Sequence, residues 1–142
     1  MDQRGQISIE YILLVAIILA VVLVFATIIT SQTEQNTIAT TAQLGASNAT
    51  ANMLFTNYTQ SPVKVTSVTM TTVTLPPDNI STNTSMVIHF SGKITNNATV
   101  FNSIANSLIA AGYTNITQTD SSLNLIKTTG IGVRHIYFIT LS

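Results

Sequence analysis

Residues 6–29 read QISIEYILLVAIILAVVLVFATII, with one charge, Glu10, and neither Gly nor Pro. An unbroken apolar run of roughly 20 residues is long enough to cross a bilayer as a helix. In lipid a helix satisfies its own backbone hydrogen bonds, which an isolated strand cannot do. Glu10 is the anomaly. A carboxylate inside a membrane segment costs about 2.5–3.5 kcal/mol at the centre and less near the end, and it normally has a partner. No Lys or Arg lies within the run, so the partner has to come from elsewhere. A secretory signal peptide fits badly. The preceding MDQRG sets Asp2 against Arg4, the run exceeds an ordinary h-region, and no small-x-small site ends it. A plain N-terminal anchor with a tolerated Glu remains a competing reading.

The chain has 142 residues, which fits one small domain beside the helix. Only 7% are charged, against about 25% in ordinary soluble proteins. Thr, Ser and Asn take their place. The formal net charge is zero. Such a chain self-associates more readily than a strongly charged one. Without a basic patch interleaved with aromatics, nucleic acid is not an expected partner. There is no Cys, hence no disulfide framework and no thiolate metal site. Six N-x-S/T sequons follow the apolar run, at Asn48, Asn57, Asn79, Asn83, Asn97 and Asn115. They are candidate N-glycosylation sites and fit an extracellular surface.

Residues 30–58 turn polar without a break, and Ile38, Ala42, Gly45, Ala49 and Met53 fall on one helical stripe. The helix is expected to span 6–58, with an apolar half (6–29) and an amphipathic half (30–58). About 50 residues at 1.5 Å rise make a rod of roughly 75 Å. Gly45 and the β-branched Thr residues weaken it locally. Ala16, Ala20 and Thr27 form a line of small residues suited to helix–helix contact.

From Pro62 the period changes. Val63, Val65, Val68, Met70 and Thr72 predict a Thr-rich strand with a bulge near Ser67. Residues 76–79, Pro-Pro-Asp-Asn, predict a turn. Met86, Ile88 and Phe90 predict a second strand. Val100, Ile104, Leu108 and Ala111, with Phe101 and Ala105 beside them, predict a helix from Asn97 stopped by Gly112. Leu123 and Leu125 mark a third strand. Residues 133–141 alternate with apolar residues on both faces, which predicts a central strand covered on both sides. The expected fold is α+β: a long N-terminal hydrophobic helix and a small antiparallel-sheet head, 59–142, ordered β-β-α-β-β. A head of that size needs the stripe of the stem helix to complete its core.

No catalytic constellation is legible. His89 and His135 lie on predicted strands, where a packed or surface role is commoner than metal ligation. Asp78 and Asp120 sit in turn-like surroundings. Gly130-x-Gly132 leads into a strand rather than a phosphate-binding helix. A non-enzyme without metal or cofactor is expected.

Gly5 followed by Gln6-Ile7-Ser8-Ile9-Glu10-Tyr11-Ile12-Leu13-Leu14 resembles the signal of archaeal type IV pilins (the class III signal peptide type), in its Q-x-S-x-E-x-x-x-L form. Gln6, Ser8, Glu10 and Leu14 fall on its motif positions. The resemblance covers about the first quarter of the chain. It implies recognition of those four residues by a membrane prepilin peptidase, cleavage between Gly5 and Gln6, and removal of a 1–5 leader. The helix is retained and the precursor sits in the cytoplasmic membrane. The implied end product is an extracellular filament, a homopolymer built by pilus assembly machinery and able to touch surfaces or other cells. Gln6, Glu10, Tyr11, Ala16 and Ala20 are the implied assembly residues, with Glu10 meeting the new α-amine of a neighbouring Gln6. Cyclisation of that Gln to pyroglutamate would remove the amine and leave Ser8 or Tyr11 of another subunit as donors. The alternatives are a surface-anchored binding module that does not polymerise, a minor pilin-like subunit, and an archaellin, whose leader usually carries a basic residue before Gly, as Arg4 does here.

Overall fold

The structure is a computed structural model. It describes the backbone of residues 3–56, 62–78, 80–130 and 132–142, and side chains from residue 9 onward within those ranges except Thr56. Asn57 and Asn79 lie outside the described residues, as do the side chains of Gly5, Gln6 and Ser8. Two compact units divide the chain, residues 1–37 and 38–142.

The first unit is helical. Helix α1 runs Gln3–Thr56, and its residues up to Thr37 belong to this unit. No helix-breaking residue interrupts 6–29. Two threonine hydroxyls in and beside the apolar stretch turn back on the helix. Thr27 Oγ1 donates to the Val24 carbonyl and Thr30 Oγ1 to that of Ala26, both at 2.8 Å. These residues therefore leave no hydroxyl hydrogen unbonded in an apolar medium.

The second unit holds the rest of α1, then β1 (Val65–Thr74), β2 (Thr82–Phe90), α2 (Asn97–Ala110), β3 (Ile116–Gln118), β4 (Leu123–Thr128) and β5 (Arg134–Leu141). The five strands form one sheet in the order β1-β2-β5-β4-β3. Residues 38–56 of α1 and the whole of α2 lie on one face of it. Their inward side chains, Ile38, Ala42, Ala46 and Ala49 from α1 and Val100, Phe101, Ile104 and Leu108 from α2, meet Met86, Ile88, Leu123, Leu125, Tyr137 and Ile139 of the sheet in a single buried cluster. The small-residue stripe of α1 thus completes the head core. Ala46 joins it although it falls outside the stripe read from the sequence.

Gly45 sets how closely the two helices approach. A Cβ there would stand 2.7 Å from Ile104 Cα and 2.9 Å from the Ser103 carbonyl oxygen. Ser103 Oγ in turn donates to the Gly45 carbonyl at 2.8 Å. The helix passes through Gly45 unbroken, so the glycine serves a close crossing.

Helix α2 is capped at both ends. The Asn96 side chain accepts from the Thr99 N–H at 3.1 Å, an N-cap bond. At the other end Gly112 takes φ +95°. The Tyr113 N–H bonds the Leu108 carbonyl and the Gly112 N–H bonds that of Ile109. This is a Schellman motif, which needs a left-handed residue at the Gly112 position.

The α+β plan holds, with three differences from the sequence expectation. The sheet is mixed: β1–β2, β4–β5 and β3–β4 are antiparallel, but β2 and β5 run parallel. The helix α2 carries the chain back to the end from which β2 began, so β3 and later β5 run in the direction of β2. The extra strand β3 is only three residues long, too short to show alternation. Third, β5 is central as expected, but only one of its faces is covered. Tyr137 and Ile139 are buried, whereas Phe138, on the other face, is 39% exposed. Both helices pack on the Tyr137 side, and no described element covers the Phe138 side. The bulge expected near Ser67 is present as a register shift between Val65 and Ser67.

Candidate assembly and processing segment

From Ile9 to Ile29 every large apolar side chain of α1 is exposed, at 40–68%. The stretch is long and apolar enough to cross a membrane, and none of it is buried within the protein. Exposure on this scale, all round a helix, calls for lipid or other protein chains as surroundings.

Glu10 and Leu14, four residues apart, lie on one face of the helix. Together with Ile9, Leu13, Ile17 and Ile18 they share an exposed apolar side of the helix on which Glu10 is the one charged residue. Among the described residues, none pairs with Glu10. Tyr11 is 68% exposed. Ala16 and Ala20 share one line four residues apart, and Thr27 extends it seven residues on. The Gly5–Gln6 bond lies within the span of α1.

The two histidines are on opposite faces of the sheet. His89 shares a hydrogen bond with Thr69 Oγ1 across β1–β2 at 3.1 Å, and His135 Nδ1 one with Thr82 Oγ1 across β2–β5 at 2.7 Å. Among the described residues no three His, Cys, Asp or Glu side chains gather as a metal site would.

One polar cluster exceeds what its sequence suggests. Asp78 accepts from the N–H groups of Ile80 and Ser81 at 3.2 Å, and from Ser81 Oγ at 2.6 Å. Ser81 Oγ also accepts from the Arg134 N–H at 3.1 Å. The Ser81 hydroxyl hydrogen bond, followed by the two N–H groups, holds the Asp78 carboxyl below its ordinary value of 3.8. This fastens the β1–β2 loop to the start of β5. Pro-Pro-Asp-Asn shows the turn, but its distant anchor needs the β2–β5 pairing, which the sequence does not display.

The four described sequons differ. Asn48 is exposed on α1, but its Thr50 is buried and donates to the Ser47 carbonyl at 3.0 Å. Asn83 and Ser85 are both exposed on β2, Asn97 and Thr99 at the start of α2, and Asn115 and Thr117 around the start of β3.

No curated protein and no solved structure matches the chain. Residues 3–29 match the family model of the class III signal peptide, so the N-terminal segment is similar to the signals of type IV pilin-like and archaellin-like secreted subunits.

Proposed function

We propose that the chain is a structural subunit of an archaeal type IV-like adhesion pilus. A prepilin peptidase cuts between Gly5 and Gln6, reading Gln6, Ser8, Glu10 and Leu14. Assembly machinery then withdraws the apolar helix from the cytoplasmic membrane and packs it against other copies. Residues 38–142 coat the filament exterior and meet surfaces or other cells. The observation that carries this reading is a wholly exposed apolar helix segment with one charge, Glu10, inside the stretch that matches the signal model. Burial between copies stabilises such a helix at about 25 cal/mol per Å² of apolar surface removed from water. The α-amine of Gln6 from a neighbour supplies Glu10 with an opposite charge. Repetition of one heterologous contact gives an open helical filament.

The test is the intact mass and N-terminus of the protein in a sheared extracellular fraction. A chain starting at Gln6 in sedimentable filaments is the expected result. A chain retaining residues 1–5 and found only in membranes overturns the proposal and leaves a non-polymerising surface anchor. Arg4 before Gly5 is the feature that favours an archaellin instead, and filaments that rotate and drive swimming would identify one.

A further inference from the structure

The sheet face opposite the helices carries a row of apolar side chains. Phe138 and Val73 are exposed at 39% and 58%. Ile136, Ile126 and Val87 on the same face are half-buried. Around them stand Ser85, Asn124 and Thr140. Arg134 is the one Lys or Arg on that face among the described residues.

We propose that Asn83 carries an N-linked glycan that lies across this face and shields it. The register puts Asn83 beside Val73 of β1 and Ile136 of β5. Directly opposed residues of an antiparallel pair, as Asn83 and Val73 are, have Cβ atoms about 4.5–5.5 Å apart. Ser85, the sequon hydroxyl, follows on the same face beside Phe138. Both sequon partners are exposed. Thr84 between them points to the other face, fully buried, with its Oγ1 3.0 Å from that of Thr72. The modification therefore disturbs no core contact.

Asn48 is the contrast, because the hydroxyl a transferase needs is buried and engaged there. Asn97 and Asn115 expose their sequons, yet Asn97 opens α2, and Asn115 lies just before β3, two strands from Phe138. Sugar rings offer apolar C–H faces to aliphatic and aromatic side chains, and hydroxyls to Ser, Thr and Asn. A bulky, solubilising, uncharged group suits a nearly uncharged face with an apolar centre.

The proposal rests on the secreted-subunit reading, and its test keeps the two apart. The full chain is isolated from the cells that make it, and its sequon peptides are mapped by mass. A glycan on the Asn83 peptide and a bare Asn48 peptide are expected. Asn83→Gln and Ser85→Ala, the second keeping the asparagine, lose that glycan. Both then bind more of a fluorescent apolar dye than the parent, whereas Asn97→Gln does not. An unmodified Asn83 in chains carrying a glycan at Asn97 or Asn115, or in extracellular filaments without any glycan, overturns the proposal and leaves secretion standing. Bare sequons in a chain confined to the cytoplasm overturn both. Equal dye binding by parent and Ser85→Ala overturns the shielding.

Discussion

The two parts of α1 answer the same question differently. Residues 38–56 bury a narrow stripe, Ile38, Ala42, Ala46 and Ala49, against their own sheet and second helix. Residues 9–29 bury nothing. In the first case small side chains let backbones come close, and the contact is completed within one chain. In the second, large Ile, Leu and Val side chains project on all sides and stay exposed. A folded unit and an unsatisfied one share a single helix, because local propensity fixes the helix while packing partners decide its surroundings.

The sharpest way to break this comparison is at Glu10, the one charged group of the unsatisfied half. Glu10→Gln keeps size and removes charge. The precursor should still insert and be cut, but filament yield should fall by roughly tenfold or more, since a loss of about 1.4 kcal/mol per contact already changes an equilibrium tenfold. Normal yield, read by sedimentation of sheared filaments, would remove the charge pairing from the assembly account. Gly5→Leu acts earlier and should leave the chain unprocessed, with residues 1–5 still present by mass. Unchanged maturation there would falsify cleavage at this bond.

The satisfied half is best probed at Gly45. A methyl group at this position meets the backbone of α2, so the helices must part. Overpacking of this kind costs about 1–3 kcal/mol, or roughly 4–8 °C in melting temperature per kcal/mol for a domain near this size. Gly45→Ala should lower the thermal midpoint of the detergent-solubilised full chain, followed by near-ultraviolet circular dichroism of its tyrosines, while leaving cleavage at Gly5 intact. An unchanged midpoint would show that the crossing is loose.

The same contrast explains what the sequence could display. An apolar run and a 3.6-residue stripe are local patterns, so the helix, the role of Ala42 and Ala49, and the alternation of β2 and β5 are legible in order along the chain. The parallel β2–β5 pairing joins segments about fifty residues apart, and no local pattern encodes which neighbour a strand selects. Strand β3 is hidden for another reason: Ile-Thr-Gln has too few residues for a period. Phe138 and Ile136 read as covered because apolar residues on both faces ordinarily mean two covering layers. Here both helices serve one face. Of the proposed assembly residues, Glu10 stands out as a charge in an apolar run, whereas Ala16 and Ala20 look the same whether they make contacts or merely favour a helix.

A smaller effect is expected at Gly112, where the Schellman motif holds φ at +95°. An L-residue pays about 1–2 kcal/mol in that conformation. No atom lies within 4 Å of an added Cβ, so Gly112→Ala isolates the backbone term from any clash. Its midpoint should fall less than that of Gly45→Ala. The reverse ranking would mean that the crossing of α1 and α2 tolerates separation more easily than the cap tolerates strain.

The smallest effect concerns pH and belongs to the loop that ties β1–β2 to β5. The Asp78 carboxyl is held below its ordinary value, chiefly by the Ser81 hydroxyl and then by the N–H groups of Ile80 and Ser81. A carboxylate with a depressed folded-state pKa adds stability that is fully present above the unfolded value and is lost as pH falls through the folded one. The chain has only five carboxylate side chains, so one of them can be read against a quiet background. Asp78→Asn keeps an oxygen that accepts from the two N–H groups but no longer titrates. Its thermal midpoint should lie slightly below the parent's at pH 7, and the gap should narrow as pH is lowered from about 4 toward 2. A gap that stays constant over that range would assign the loop's contribution to hydrogen-bond geometry alone. A gap that widens would mean that the charge on Asp78 opposes folding, contrary to the donors that surround it.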